Sequence, residues 1–376
     1  MKTPMNEYIR EVDIIRAIAI IGVLIVHATA LTVVTLNPQS SLYGLYDFLN
    51  IAFKYGTPTF IFLSSFVLFR SYIHRSLAPA LVKRFYLRRL VYIVLPYLLF
   101  SIIYVAMKSY FYYGFGEWWA WLYDLIVRIM TGKAHSHLYF VIISIQLYIC
   151  FPLILKLLQS SRWMARNAYW IGFAIQWTFI VLNKYYLHLP NKGSWALSYF
   201  SFFMLGAYVG IHYSSLLKKF YLIRSSALPI LSLILIWFVG LTAHFGLIHA
   251  NRVYQISWHS FWYELAWNLH TASTAILIFY GVHHVSNRLP NAVLNLLSRL
   301  GQASFGIYLV HPLLLIAYEA LVRVANPLWY HPSILLKGLF ILVGSYIVVW
   351  LGSKTLQGMA PFVFGHTFTI RKETAG

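Results

Sequence analysis

Windows of about twenty consecutive apolar residues, the length a helix needs to cross the roughly 30 Å hydrocarbon layer of a membrane, recur ten times along this chain. They fall at about 13–35, 46–70, 90–108, 137–158, 168–187, 195–213, 227–248, 258–282, 302–324 and 333–353. In lipid a backbone must satisfy its own hydrogen bonds, so such windows fold as helices. The sequence therefore predicts an all-α, polytopic integral membrane helical bundle of about ten transmembrane helices. Connections within the 376 residues are short, which leaves a single transmembrane domain over 1–376 and no appended soluble domain. Only 10% of residues are charged, against about 25% in soluble proteins, too few to coat a water-facing surface.

The formal charge of +20 would suggest a nucleic-acid partner in a soluble protein. In a membrane protein the lipid bilayer is the partner, and what matters is which connections hold Lys and Arg. With the N-terminus and every second connection taken as inside, nineteen basic residues lie inside and seven outside. The bias puts both termini in the cytoplasm. Asp13 and Arg16 interrupt the first apolar run and argue against a cleaved signal peptide. One cysteine, Cys150, excludes a disulfide framework within the chain. No metal site is expected: His135 with His137 and His283 with His284 stand at connection ends on opposite sides, without neighbouring carboxylates.

Ionisable side chains inside spans cost about 2.5 to 3.5 kcal/mol each by insertion scales, so each one raises a functional question. Asp13, Arg16 and His27 share one stripe of the first helix, with Arg16 about 16 Å from His27 along the axis. Taken singly, Asp13 and Arg16 read equally well as an ion pair at a helix start, and His27 as a hydrogen bond to a neighbouring helix. Together they point to a polar cavity inside the bundle. In the ninth window Ser304, Tyr308 and His311 are spaced i, i+4, i+7 on one face, with Pro312 next. Alone, such a face also serves helix packing. Glu264 is read as the deepest carboxylate outside the first helix. The connection from Arg70 to Arg89 is read as a loop with six basic residues, densest at Lys83, Arg84, Arg88 and Arg89. It suits either anionic headgroups or a phosphate clamp, since Arg presents paired donors to phosphate.

These residues give the chain a resemblance, over nearly its whole length, to the membrane acyltransferase-3 family. IREVDIIRAIAIIGVLIVH matches the family's opening run through Arg10, Asp13, Arg16, Ala17, Ala19 and His27, with ten residues between the arginine and the histidine. GTPTFIFLSSF at 56–66 resembles the second-span motif, with Ser65 in place of the usual glycine. RFYLRRLVYIVLPY, HLYFVIISIQLYICFP, FFMLGAYVG and SFGIYLVHP are further matches. The basic segment departs from the family pattern, because Tyr92 stands where a repeated arginine is common.

The resemblance implies a multi-pass protein of the bacterial cytoplasmic membrane that moves an acyl group from cytosolic acyl-CoA, acetyl-CoA or succinyl-CoA, to a hydroxyl of a cell-surface or lipid-linked carbohydrate. No permanently bound cofactor is implied. In that reading Arg16, with Lys83, Arg84, Arg88 and Arg89, holds the acyl-CoA, and Asp13, Arg16 and His27 form the catalytic stripe. His27 is the general base, because an imidazole titrating near 6.5 suits that work at neutral pH. Ser304, Tyr308 or His311 donates to the developing oxyanion, with Glu264 on the acceptor side. A covalent acyl-enzyme stays open beside direct transfer. Partner expectations extend to a glycan synthase complex or a homodimer. The competing class is a proton-coupled transporter or flippase of a glycan or small solute, although the paired broken helices frequent in transporters are not evident in the sequence.

Overall fold

The computed structural model describes residues 8–223, 228–322 and 327–365, and among these it holds helices and no strand. In chain order the principal helices are α1 (Arg10–Ala30), α2 (Tyr43–Ala52), α3 (Gly56–Tyr72), α4 (Pro79–Arg89) and α5 (Leu95–Lys108). They continue as α6 (Trp118–Thr131), α7 (Tyr139–Ser160), α8 (Ala168–Leu182), α9 (Phe200–Ile223) and α10 (Leu228–Tyr254). The last are α11 (Ser260–Val285), α12 (Asn291–Gln302), α13 (Ser304–Leu321) and α14 (Pro327–Thr355).

Eight segments among the described residues are long and apolar enough to cross a membrane. The windows at 168–187 and 258–282 are helical but do not count among them. The first is the 15-residue α8 followed by a π turn, Asn183–Leu187. The second, α11, buries Asn268, His270, Thr271, Ser273, Thr274 and His283, which lower its hydropathy while giving it a polar inner face. The window at 46–70 is two helices, α2 and α3, which meet across a turn at Phe53, Lys54 and Tyr55.

One expectation is corrected outright. The segment read as a basic loop is in its second half a helix, α4, continuous with α5 through the π turn Leu90–Val94. Pro79 at the first turn has no N–H to waste, and its fixed backbone starts the helix. Pro96 then removes the N–H that would have bonded the Tyr92 carbonyl, and the widened turn just before it carries the chain past that loss.

The chain divides into two compact units. In its described part, the first comprises 64–211 with 349–365 and is built around aromatic rings packed edge to face or tilted. Phe69 meets Phe151 at 5.2 Å and Phe203 at 5.7 Å between ring centroids, and Phe85 meets Phe151 at 5.0 Å. Ser65, the departure from the usual glycine, is buried and donates its hydroxyl hydrogen to the Phe203 carbonyl.

The second unit, 8–63 with 212–348 in its described part, is organised around α1, which packs on α2, α11, α12 and α13. Such a helix is apolar nearly all round, as a fully surrounded one must be, and α1 buries Val12, Ile14, Ile15, Ala17, Ala19, Ile20, Val23 and Leu24. The contact with α12 is very close: a Cβ on Gly301 would lie 1.8 Å from the Asp13 carbonyl oxygen. Helices α10 and α11 meet in the same way at Gly240, where a Cβ would lie 2.7 Å from the His270 backbone nitrogen.

Candidate active site

His27 and His311 stand almost three hundred residues apart in the chain, on α1 and α13, and the fold sets their rings against each other with centroids 4.9 Å apart and planes inclined by 59°. His311 is 0% exposed and Tyr308 and Ser304 on the same helix are buried as well. The Tyr308 ring lies 6.1 Å from that of His311. His311 Nδ1–H donates to the Ile307 carbonyl, one turn back, at 3.1 Å. Because a carbonyl can only accept, this bond makes Nε2 the acceptor nitrogen of the neutral ring. The two predicted polar stripes thus converge: an imidazole of fixed tautomer faces a second imidazole among buried hydroxyl-bearing side chains. Such a cluster can take a proton from a hydroxyl and return it.

Asp13 and Arg16 sit at the other end of α1, Asp13 about 21 Å from His27 along the axis at 1.5 Å per residue. Asp13 is buried and receives Arg16 at 3.1 Å, the Tyr8 hydroxyl at 2.6 Å and the Gln302 amide at 3.2 Å. Tyr8 also contacts Ser298 at 3.0 Å, and Arg10 donates to Asn295. Burial, then the bond to Asp13, raises the Tyr8 phenol above its ordinary range, so it remains a donor at neutral pH. Asp13 therefore joins α1 to α12 as an anchor, while the Arg16 side chain, 35% exposed, keeps part of its guanidinium accessible.

The deepest carboxylate outside α1 is Asp47 and not Glu264, which corrects the sequence reading. Asp47 is 0% exposed, is bonded by Arg252, and meets His249 Nδ1 at 2.6 Å. Arg252 also reaches Asn50 Oδ1 at 3.4 Å, and the Asn50 amide donates to the Val26 carbonyl at 3.1 Å. An unbroken chain of polar contacts thus runs from a partly buried ion pair to the turn of α1 that carries His27. Close by in sequence, His244 and His270 are both buried with their Nδ1 atoms 3.0 Å apart. Glu264 lies half-buried near the start of α11, with Asn268 donating to its backbone carbonyl at 2.9 Å. Asp47 escaped notice because it stands at the edge of an apolar window, where an acid reads as interfacial. The usable signal was the scarcity of acids, nine in the chain, together with Arg252 on the same predicted side.

The four basic residues of α4 belong to the other unit and do not act as one patch. Lys83, Arg84 and Arg88 are exposed, whereas Arg89 is half-buried and lies over the rings of Phe85 and Tyr148, at 5.1 and 4.9 Å. At 100° per residue Arg84 and Arg88 share a face, and Lys83 and Arg89 fall away from it. Among the described residues no group of three or more His, Cys, Asp or Glu could hold a metal ion.

A family model described as an acyltransferase domain matches residues 9–354. The chain is 23% identical over 318 residues to the "Probable poly-beta-1,6-N-acetyl-D-glucosamine export protein" of Staphylococcus aureus strains MSSA476 and MW2, covering 79% of this chain and 80% of that protein. The protein of the same name from strain MRSA252 is 22% identical over 317 residues, with the same coverage. No solved structure matches the chain.

Proposed function

The chain belongs to the acyltransferase-3 family of membrane proteins, and on that premise we propose that it transfers an acyl group from acyl-CoA to a hydroxyl of a cell-surface or lipid-linked carbohydrate. The observation that carries this reading is the contact of His27 with His311. It joins the two most specific motifs of the sequence at one buried point, where a proton must be handled away from bulk water.

In this mechanism His27 removes the proton from the acceptor hydroxyl as its oxygen attacks the thioester carbonyl. The negative charge that develops on the carbonyl oxygen is met by a donor from α13, the Tyr308 hydroxyl, since the one N–H of neutral His311 is already given to the Ile307 carbonyl. One good donor of this kind is worth on the order of 3 kcal/mol. Collapse of the tetrahedral species breaks the carbon–sulfur bond, and the proton held on His27 passes to the departing CoA thiolate. The Asp47–Arg252–Asn50 chain holds the α1 turn that carries the base. Arg16, 11 residues and about 16 Å away along α1, serves an anionic phosphate group while the thioester arm extends toward His27. Arg84 and Arg88, exposed on α4 of the other unit, are by themselves a second candidate grip for an anionic phosphate group. With acetyl-CoA or succinyl-CoA as donor, the reaction takes place in the bacterial cytoplasmic membrane, with the carbohydrate approaching from the outer face predicted by the charge bias.

Purified protein given radiolabelled acetyl-CoA or succinyl-CoA and a β-1,6-linked N-acetylglucosamine oligosaccharide should yield labelled oligosaccharide and free CoA. The relatives' names favour a second reading, export of a glycan. A transporter consumes no thioester, so labelled oligosaccharide crossing proteoliposome membranes with the thioester intact would support export and reject acyl transfer.

A further inference from the structure

We propose that the first unit carries a binding site for an anionic bilayer phospholipid, in the groove between α4–α5 and α7, with Lys83 and Arg89 taking the headgroup phosphate. The groove has a volume of about 470 Å³ and is walled by Leu87, Leu90, Tyr148 and Ile149, with Lys83 and Arg89 its charged residues and no carboxylate in its lining. Both walls belong to segments long and apolar enough to cross a membrane, Pro79–Phe111 and Tyr139–Ser160. Leu87, Leu90 and Ile149 are 50, 48 and 62% exposed, so the groove opens outward, where a bilayer supplies acyl chains.

Helix geometry separates this site from the exposed pair Arg84 and Arg88. Lys83, Tyr86, Leu87 and Leu90 follow the i, i+3, i+4, i+7 pattern of one face, and the groove is lined by that face. The Arg89 guanidinium lies on Phe85 and Tyr148, and its Nε is buried with no hydrogen-bond partner. A partly desolvated cation on an aromatic bed, with no acid beside it in the groove, calls for an anion from outside the chain. An apolar groove whose lining includes two cations is complementary to a lipid whose tail is apolar and whose phosphate is charged. The site requires no thioester and uses neither His27 nor Arg16, and it takes Lys83 and Arg89 out of the donor-binding set that the family resemblance implied.

The test uses the purified full chain in detergent, with dioleoyl-phosphatidylglycerol and dioleoyl-phosphatidylcholine as probes and lipid retention read by native mass spectrometry. The wild type should retain phosphatidylglycerol over phosphatidylcholine by about thirtyfold, the effect of two basic residues near an anionic headgroup. Lys83→Gln with Arg89→Gln should abolish the preference, Ile149→Trp should reduce retention by filling the groove, and Arg84→Gln with Arg88→Gln should leave both unchanged. Equal retention of the two lipids by the wild type would overturn the proposal. So would loss of preference in the Arg84 and Arg88 variant alone, or displacement of phosphatidylglycerol by free coenzyme A, which would make the groove a donor site.

Discussion

Two side chains on different helices acquire a chemical meaning that neither has alone. His27 in a helix is an ordinary polar exception, and His311 is a helix residue bonded to its own previous turn. Set 4.9 Å apart, they form the pair on which the proposed proton transfer rests. Replacing His27 with Ala should leave expression and membrane insertion intact while lowering acyl transfer by roughly a hundredfold or more, the usual share of a general base. Activity at the wild-type level in that variant would place the base elsewhere. Asp47 works at the same scale through structure. Asp47→Asn leaves Arg252, whose side chain is 28% exposed, beside a neutral amide, and losing a charged hydrogen-bond partner of this kind costs about 1.5 to 3 kcal/mol. Thermal unfolding in detergent should register the loss, and Arg252→Lys should restore less than the wild-type stability because a point charge cannot bridge Asp47 and Asn50 as a guanidinium does.

Among the helices, α1 and α12 show how an amphipathic segment outside the apolar windows becomes part of the core. Helix α12 lies against α1 because Gly301 has no side chain to keep it away and because Asp13, Tyr8, Ser298 and Gln302 bond across the gap. A Gly301→Ala substitution puts a methyl group where a backbone oxygen already is, 1.8 Å from its Cβ. Overpacking of a core costs typically about 1 to 3 kcal/mol, and here neither side can move a flexible side chain away. Gly301→Ala should therefore lower the melting temperature and loosen Tyr8 and Asp13, read as faster hydrogen exchange in the first turn of α1. An unchanged melting temperature would show that α12 shifts at little cost. Helix α4 makes the complementary point: a run of basic residues looks like one patch in sequence and splits once it winds, with Arg84 and Arg88 on one face and Lys83 and Arg89 to either side of it, so the proposed phosphate grip and the proposed lipid groove can be mutated separately.

For the molecule as a whole, the predicted sidedness is testable with little engineering because the chain has a single cysteine, Cys150. On a Cys150→Ser background, a cysteine introduced at Gln39 should react with an impermeant maleimide added outside intact cells. One at Arg75 should react only after the membrane is opened. Reaction of both from the same side would reverse or break the proposed topology. Contacts inside the second unit already pair residues that the charge bias assigns to one side: Asp47 with Arg252, Tyr46 with His331, and Arg10 with Asn295. Much of this was legible without coordinates. Apolar windows long enough to span lipid leave helices as the available backbone, and the i, i+4, i+7 spacing on α13 follows from a fixed 100° rotation per residue. The family is equally visible, since its motifs are local strings. What tertiary structure alone decided were the relations between strings: His27 against His311, Asp47 buried by residues about two hundred positions away, Glu264 left near a helix end, and Arg89 laid over the Tyr148 ring apart from Arg84 and Arg88. Local sequence sets the rotation of each helix about its own axis, but which faces meet depends on packing among all the neighbours at once, and a single glycine such as Gly301 can decide it.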